Sequence, residues 1–143
     1  MSDLLYNKAL LRLAADATGA GHLPNPDAVG TAINPACGDK VTVELHFAEG
    51  HVDAVAHEVK ACLFAQASAS ILGAGLTGAK PHDVEVLKAR VLAMLEGETD
   101  PPAAPFDSYV AFAGAIDHPV RHRCVLLPIE AVLAAIENFR GRQ

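Results

Sequence analysis

The chain has 143 residues, 51% of them hydrophobic and 20% charged, with 11 Lys and Arg against 17 Asp and Glu. That length suits one domain, residues 1–143, burying about two-thirds of its extended surface, and the apolar content excludes a disordered chain. A net charge of −6 without any basic block excludes a nucleic-acid binder.

No apolar run reaches bilayer length, and the start MSDLLYNKALL carries no export signal, so a soluble, cytoplasmic protein with no membrane partner is expected. With 27 alanines and no Trp, the core favours helices packed close together.

Tyr6, Leu10, Leu13 and Ala17 form an apolar stripe at helical spacing, with Lys8 and Arg12 outside it, and Gly19 and Gly21 are expected to end that helix. Residues 19–36 carry the Gly, Pro and Asn signals of a loop, with a short strand around Val29 to Ile33. Val41, Val43, Leu45 and Phe47 then alternate with Thr42, Glu44 and His46, which predicts a strand. Glu49-Gly50 is read as a tight turn into a second strand, His51 to Lys60. Leu63 to Leu76 is an Ala-rich helix, and Pro81 opens another whose stripe is Val84, Leu87, Val91 and Met94. Residues 97–105 break the pattern, and a helix is predicted over Tyr109 to Ile116. With Pro128 in its first turn, a last helix buries Val132, Leu133, Ile136 and Phe139.

The hairpin predicts where the cysteines meet. If Ala48 faces His51, the same register places Cys37 opposite Cys62 and Asp39 opposite Lys60. Directly opposed residues have Cβ atoms roughly 4.5–5.5 Å apart, close enough to share one metal ion. It also puts Val41, Val43, Leu45 and Phe47 on one face with Val52, Ala54 and Ala56, and Cys37, Asp39 and Cys62 project from that face. Cys124 lies just ahead of the last helix, which would cover it.

Three cysteines without a CxxC spacing read, taken alone, as small buried hydrophobes; the hairpin register makes them candidate ligands. The helix starts near Cys62 and Cys124, with Lys60, Arg121, His122 and Arg123 beside them, favour thiolate over thiol. Three thiolates and one carboxylate suit a tetrahedral Zn²⁺ site or an iron–sulfur cluster. The carboxylate is the harder and weaker ligand, so a cluster held partly by oxygen leaves more easily, which serves a carrier.

Asn34 to Asp39, reading NPACGD, resembles the NPxCGD motif of the NifU/IscU/SufU family of iron–sulfur assembly proteins. Cys62 followed by Ala67, Ser68, Ala69 and Ser70 is similar to that family's second-cysteine helix, and Arg121 to Leu127 to its third-cysteine segment. The resemblance implies an α+β fold, a small antiparallel sheet of about three strands covered on one face by helices. It implies a site of Cys37, Asp39, Cys62 and Cys124 that holds a transient [2Fe–2S] cluster or Zn²⁺. In that site the cysteines accept sulfur from a SufS-like cysteine desulfurase, and recipient or carrier Fe–S proteins take the product.

The SufU branch is the more similar one. The gap between Cys62 and Cys124 leaves room for the additional helix of SufU-type members, and Arg123 stands where IscU-type members have His. The LPPVK chaperone motif is replaced by His118-Pro119-Val120-Arg121, and Ala61 stands where Gly is usual before the second Cys. Some SufU-type members are zinc-dependent sulfurtransferases. Scaffold, sulfurtransferase and zinc-stabilised interaction protein are therefore the competing readings, in that order.

The remaining residues read blandly. His122 is either a ligand or proton carrier, or is held to solvent by Arg121 and Arg123. His46 is expected to pair across the strands with Asp53, with His57 on the same exposed face. Ser68 and Ser70 are expected to pack helices, and Gly73, Gly75 and Gly78 to end one.

Overall fold

The computed structural model describes residues 7–36 and 38–141. Among these the order is α1 (Lys8–Asp16), β1 (Ala28–Asn34), β2 (Asp39–Ala48), β3 (His51–Lys60), α2 (Leu63–Gly75), α3 (Pro81–Leu95), a 3₁₀ segment (Asp107–Ala115) and α4 (Pro119–Gly141). The strands form one antiparallel sheet in the order β1-β2-β3. The α+β architecture is therefore the expected one. Tyr6, part of the first predicted stripe, lies outside the described residues.

Alternation along β2 buries Val41, Val43 and Leu45 against the helices. The long helix α4 runs over β1 and β2, α2 lies beside it against β3, and α1 and α3 form the flanks. Nine of the 13 residues of α2 are buried, from Phe64 to Gly75, so it is the central helix rather than a surface one. Phe64, Tyr109 and Phe112 stack around its first turns, with ring centroids 5.6 Å apart for Tyr109–Phe112 and 6.3 Å for Phe64–Phe112. In α3 the whole expected stripe of Val84, Leu87, Val91 and Met94 is buried.

The hairpin turn falls at Glu49-Gly50, both at positive φ (53° and 83°), the conformation that matches the strands' right-handed twist. The register departs from expectation after two pairs. Ala48 faces His51 and Phe47 faces Val52, but His46 then faces Ala54, because Asp53 is an extra residue bulged out of β3. Every later pair is shifted, so Lys60 faces Lys40 rather than Asp39, and Val55, His57 and Val59 oppose Leu45, Val43 and Val41. The shift carries His57 from the outer face, where it was expected, to the helical face, where it is 4% exposed. The outer face is crossed by the segment from Gly21 to Asp27. Glu44 accepts from Leu23 N (2.7 Å) and pairs with His22, and His46 Nε2 donates to the Pro24 carbonyl (2.7 Å) instead of meeting Asp53.

His57 Nε2 donates to the Thr18 carbonyl at 2.8 Å, and burial holds the ring's pKa below the ordinary histidine value. A depressed pKa means the folded state resists protonation, so this stabilisation is intact above about pH 6.5 and is lost as pH falls below it. His22 works in the opposite sense, because its hydrogen bond and charge pairing with Glu44 raise its pKa. The urea midpoint of the wild type is expected to fall more between about pH 7.5 and pH 5 than that of His57→Gln, which keeps an amide donor but cannot charge. Parallel midpoints in the two proteins would refute this role for His57.

The last helix begins nine residues earlier than Pro128 suggests: Pro119 is its first residue and Pro128 lies inside it. The rule that proline opens a helix holds, applied to Pro119. As a consequence Cys124 sits in the second turn of α4, not ahead of the helix. Val132 and Ile136 are buried as expected, while Leu133 and Phe139 are partly buried against the core. Gly73 lies within α2, whereas Gly75 is its last residue, as expected. A Cβ on Gly73 would collide with the Thr18 carbonyl, so the residue is small to let the α1–β1 connection touch the helix.

Candidate metal centre

The motif around residue 37 folds as a tight turn whose Asn and Gly have separate duties. Asn34 is buried, and its side-chain oxygen accepts from Ala36 N (3.2 Å) while its backbone carbonyl accepts from Gly38 N (2.8 Å). Gly38 takes φ +75°, a left-handed conformation that costs glycine least. The turn delivers Asp39 to the start of β2. Cys37 lies outside the described residues, and with it the expected pairing of Cys37 and Cys62.

Cys62 is the N-cap residue of α2, and its side chain makes no capping hydrogen bond. The backbone donors at the positive end of that helix face the same region and favour negative charge there. Cys124 arrives from α4 and is 4% exposed. No disulfide involves Cys62 or Cys124.

These elements bring one donor atom each from Asp39, Cys62 and Cys124 within 4.8 Å of one another. The Cys124 thiol donates to Asp39 Oδ2 at 3.8 Å. Thiolate and carboxylate ligands of a tetrahedral Zn²⁺, at about 2.3 and 2.0 Å from the ion, lie about 3.5 Å apart. The donor set and its spacing therefore fit a metal ion with little movement. Two soft sulfurs and one hard oxygen also suit iron, so the donors alone leave the ion open.

The basic residues around Cys124 divide. Arg121, one helical turn before it, lies over the Phe64 ring with its guanidinium carbon 5.5 Å from the centroid, on the side of α2 and Cys62. Arg123 turns away to Glu130 (4.0 Å), which Lys88 approaches to 3.5 Å. His122 is half-buried, with Nε2 donating to the Ala115 carbonyl at 2.8 Å. It is thus tied to the 3₁₀ segment, neither turned to solvent nor in the Asp39–Cys62–Cys124 group.

Sequence reasoning missed Arg121's stacking and the buried hydroxyls beneath the site. Ser68 donates to the Val125 carbonyl (2.7 Å) and accepts from Tyr109 OH (2.8 Å). A signal was available: Ser68 lies amid apolar neighbours on a helix predicted to be buried, where a hydroxyl needs a partner.

Comparison with known proteins agrees with this picture. A family profile described as NifU-like N terminal domain matches residues 5–143. Among curated relatives, the chain is 23% identical over 136 residues to the iron–sulfur cluster assembly scaffold protein IscU of Thermotoga maritima, covering 95% of each. It is 24% identical over 110 residues to the protein of the same name from Streptococcus pyogenes serotype M1, covering 77% of this chain and 69% of that one. The crystal structure of a nitrogen-fixing NifU-like protein (N-terminal) from Brucella abortus superposes with a TM-score of 0.92 at 33% identity, covering 99% of both chains. A putative SUF-system scaffold from Fervidobacterium islandicum shares the fold, with a TM-score of 0.81 at 22% identity over 95% of this chain and 99% of that one. By its sequence, its fold and the extent of the match, this chain belongs to the NifU-like N-terminal domain family.

Proposed function

We propose that this chain is a scaffold on which an iron–sulfur cluster is built and from which it is handed on. The observation that carries this reading is the convergence of Asp39, Cys62 and Cys124, from three separate elements, into a group with its donor atoms within 4.8 Å. Cys37, two residues before Asp39 in the chain, supplies the remaining thiolate. The cluster is cargo: a [2Fe–2S] unit held by three thiolates and one carboxylate leaves through the weak oxygen ligand.

The sulfur comes from a cysteine desulfurase of the SufS kind. A thiolate of the site attacks the terminal sulfur of the donor's persulfide; the donor's S–S bond breaks, its thiolate leaves, and the persulfide now sits on this chain. Iron–sulfur proteins that lack their cluster are the recipients. The relatives named as iron–sulfur cluster assembly scaffolds support the scaffold reading.

A second reading, a zinc-dependent sulfurtransferase, is compatible with the same geometry, because the 3.8 Å approach of Cys124 and Asp39 suits tetrahedral zinc as well as iron. In that case zinc poises the thiolates and no cluster is built. Desulfurase turnover measured with the zinc-loaded protein and iron excluded separates the two. Stimulation lost in Cys37→Ala and Cys62→Ala favours the transferase; activity only with the metal-free form or with iron favours the scaffold. Silence in every form would defeat both.

Asp39→Ala provides an independent check. On a scaffold, loss of the oxygen ligand is expected to lengthen the lifetime of a reconstituted cluster, followed by its visible absorption during transfer to a recipient. An unchanged or shorter lifetime would count against Asp39 as the release ligand.

A further inference from the structure

We infer that Ser68, backed by Tyr109, is a positioning residue for the metal centre, a buried clamp that sets the separation of Cys62 from Cys124. The inference rests on the proposed site and deepens it.

Cys62 and Cys124 belong to different helices, so their spacing is only as definite as the α2–α4 contact. Ser68 and Tyr109 are both wholly buried (0% exposed), and they link three elements at that contact. Tyr109 OH, from the 3₁₀ segment, donates to Ser68 Oγ on α2 at 2.8 Å. Ser68 donates in turn to the carbonyl of Val125 on α4 at 2.7 Å. Each hydroxyl therefore has one defined direction, and the chain of bonds ends on the residue that follows Cys124. Ordered buried networks of this kind permit one arrangement of their elements and penalise others.

The clamp acts where α4 is least self-supporting. Pro128 lies inside the helix and has no N–H, so the ladder loses the rung between residues 128 and 124. The turn bearing Cys124 is thus less firmly held by its own helix, and the bond from Ser68 holds that turn from outside. On the other side of α2, Ser70 supplies a contrast: its Oγ accepts from Thr18 N at 3.1 Å and ties α2 to the α1–β1 connection, not to α4.

The test is a titration with Co²⁺ alone, whose thiolate charge-transfer and ligand-field bands report ligand number and geometry, together with thermal melts of the metal-free proteins. Ser68→Ala is expected to weaken Co²⁺ binding by up to about 10-fold, the lower end of the cost of losing a group bonded directly to a ligand, because Ser68 acts through the Val125 backbone, and to shift the ligand-field bands. Ser70→Ala, which also loses a buried hydroxyl contact of α2, is expected to lower the melting temperature while leaving the affinity and bands unchanged. Tyr109→Phe leaves Ser68 donating to Val125 and is expected to weaken Co²⁺ several-fold, less than Ser68→Ala. If Ser68→Ala does not fold, Tyr109→Phe measured against Ser70→Ala decides the question.

Wild-type affinity and bands in Ser68→Ala, with a melting loss like that of Ser70→Ala, would reduce Ser68 to ordinary packing and overturn the clamp alone. A wild-type chain that takes up Co²⁺ without thiolate bands would overturn the site itself and the clamp with it.

Discussion

Cys62→Ser is expected to weaken zinc by about 100-fold or more while leaving the metal-free protein as stable as the wild type, or more so. Structural zinc sites are worth about 10–16 kcal/mol, so each of four ligands carries roughly 3 kcal/mol, about two decades in affinity. Serine is nearly isosteric with cysteine but binds a soft metal poorly. The position adds a second consequence. Cys62 occupies the N-cap of α2 without a capping hydrogen bond, and serine is among the best residues there. The hydroxyl would satisfy an amide at the helix start and stabilise the metal-free fold by a few tenths to about 1 kcal/mol. Metal affinity and stability thus move in opposite directions, which a destabilised, misfolded variant would not show. Competition titration with a chelator and a melt of the metal-free protein measure the two, and unchanged zinc affinity would remove Cys62 from the site.

Gly30→Ala is expected to be the most destabilising single-methyl change in the sheet. A Cβ at Gly30 would overlap the backbone of α4 at Ala131 and Ala135, with no flexible side chain able to yield. Overpacking commonly costs about 1–3 kcal/mol, and a collision with backbone lies at or beyond the upper end. For a chain of this size that is a fall in melting temperature of roughly 10 °C. The change would also displace α4, which carries Cys124, so metal affinity should fall with stability. Thr31→Ala is the control, since Thr31 is exposed on the neighbouring position of β1. Equal melting temperatures for the two variants would mean that α4 can move off β1 without penalty.

Much of this molecule was legible along the chain. The alternation of Val41, Val43 and Leu45, the Glu49-Gly50 turn and the Val84–Met94 stripe depend on nearest neighbours and on burial of one face. Those are local properties that periodicity reports directly. The NPACGD segment was legible for the same reason, since Asn34 and Gly38 hold its turn through contacts within a few residues.

What failed was decided at a distance. The bulge at Asp53 changes no periodicity that a reader can see, because one extra residue in β3 only re-pairs it with β2. Yet it moved His57 into the core and replaced Asp39 with Lys40 opposite Lys60. Pro128 was read as a helix start because local rules disfavour proline in a helix interior; packing of α4 on β1, β2, α2 and α3 holds the helix through it.

By itself, then, the sequence determined the elements, the apolar faces and the two residue types, Cys and Asp, proposed to hold a metal. Only the tertiary structure decided that Asp39, Cys62 and Cys124 share a space with donor atoms within 4.8 Å, that His122 and Arg123 point elsewhere, and that Ser68 reaches Val125. The reason is physical: element type follows from short-range periodicity. The distance between groups 23 to 85 positions apart follows from how whole helices and strands pack, as the Asp39–Cys124 contact shows.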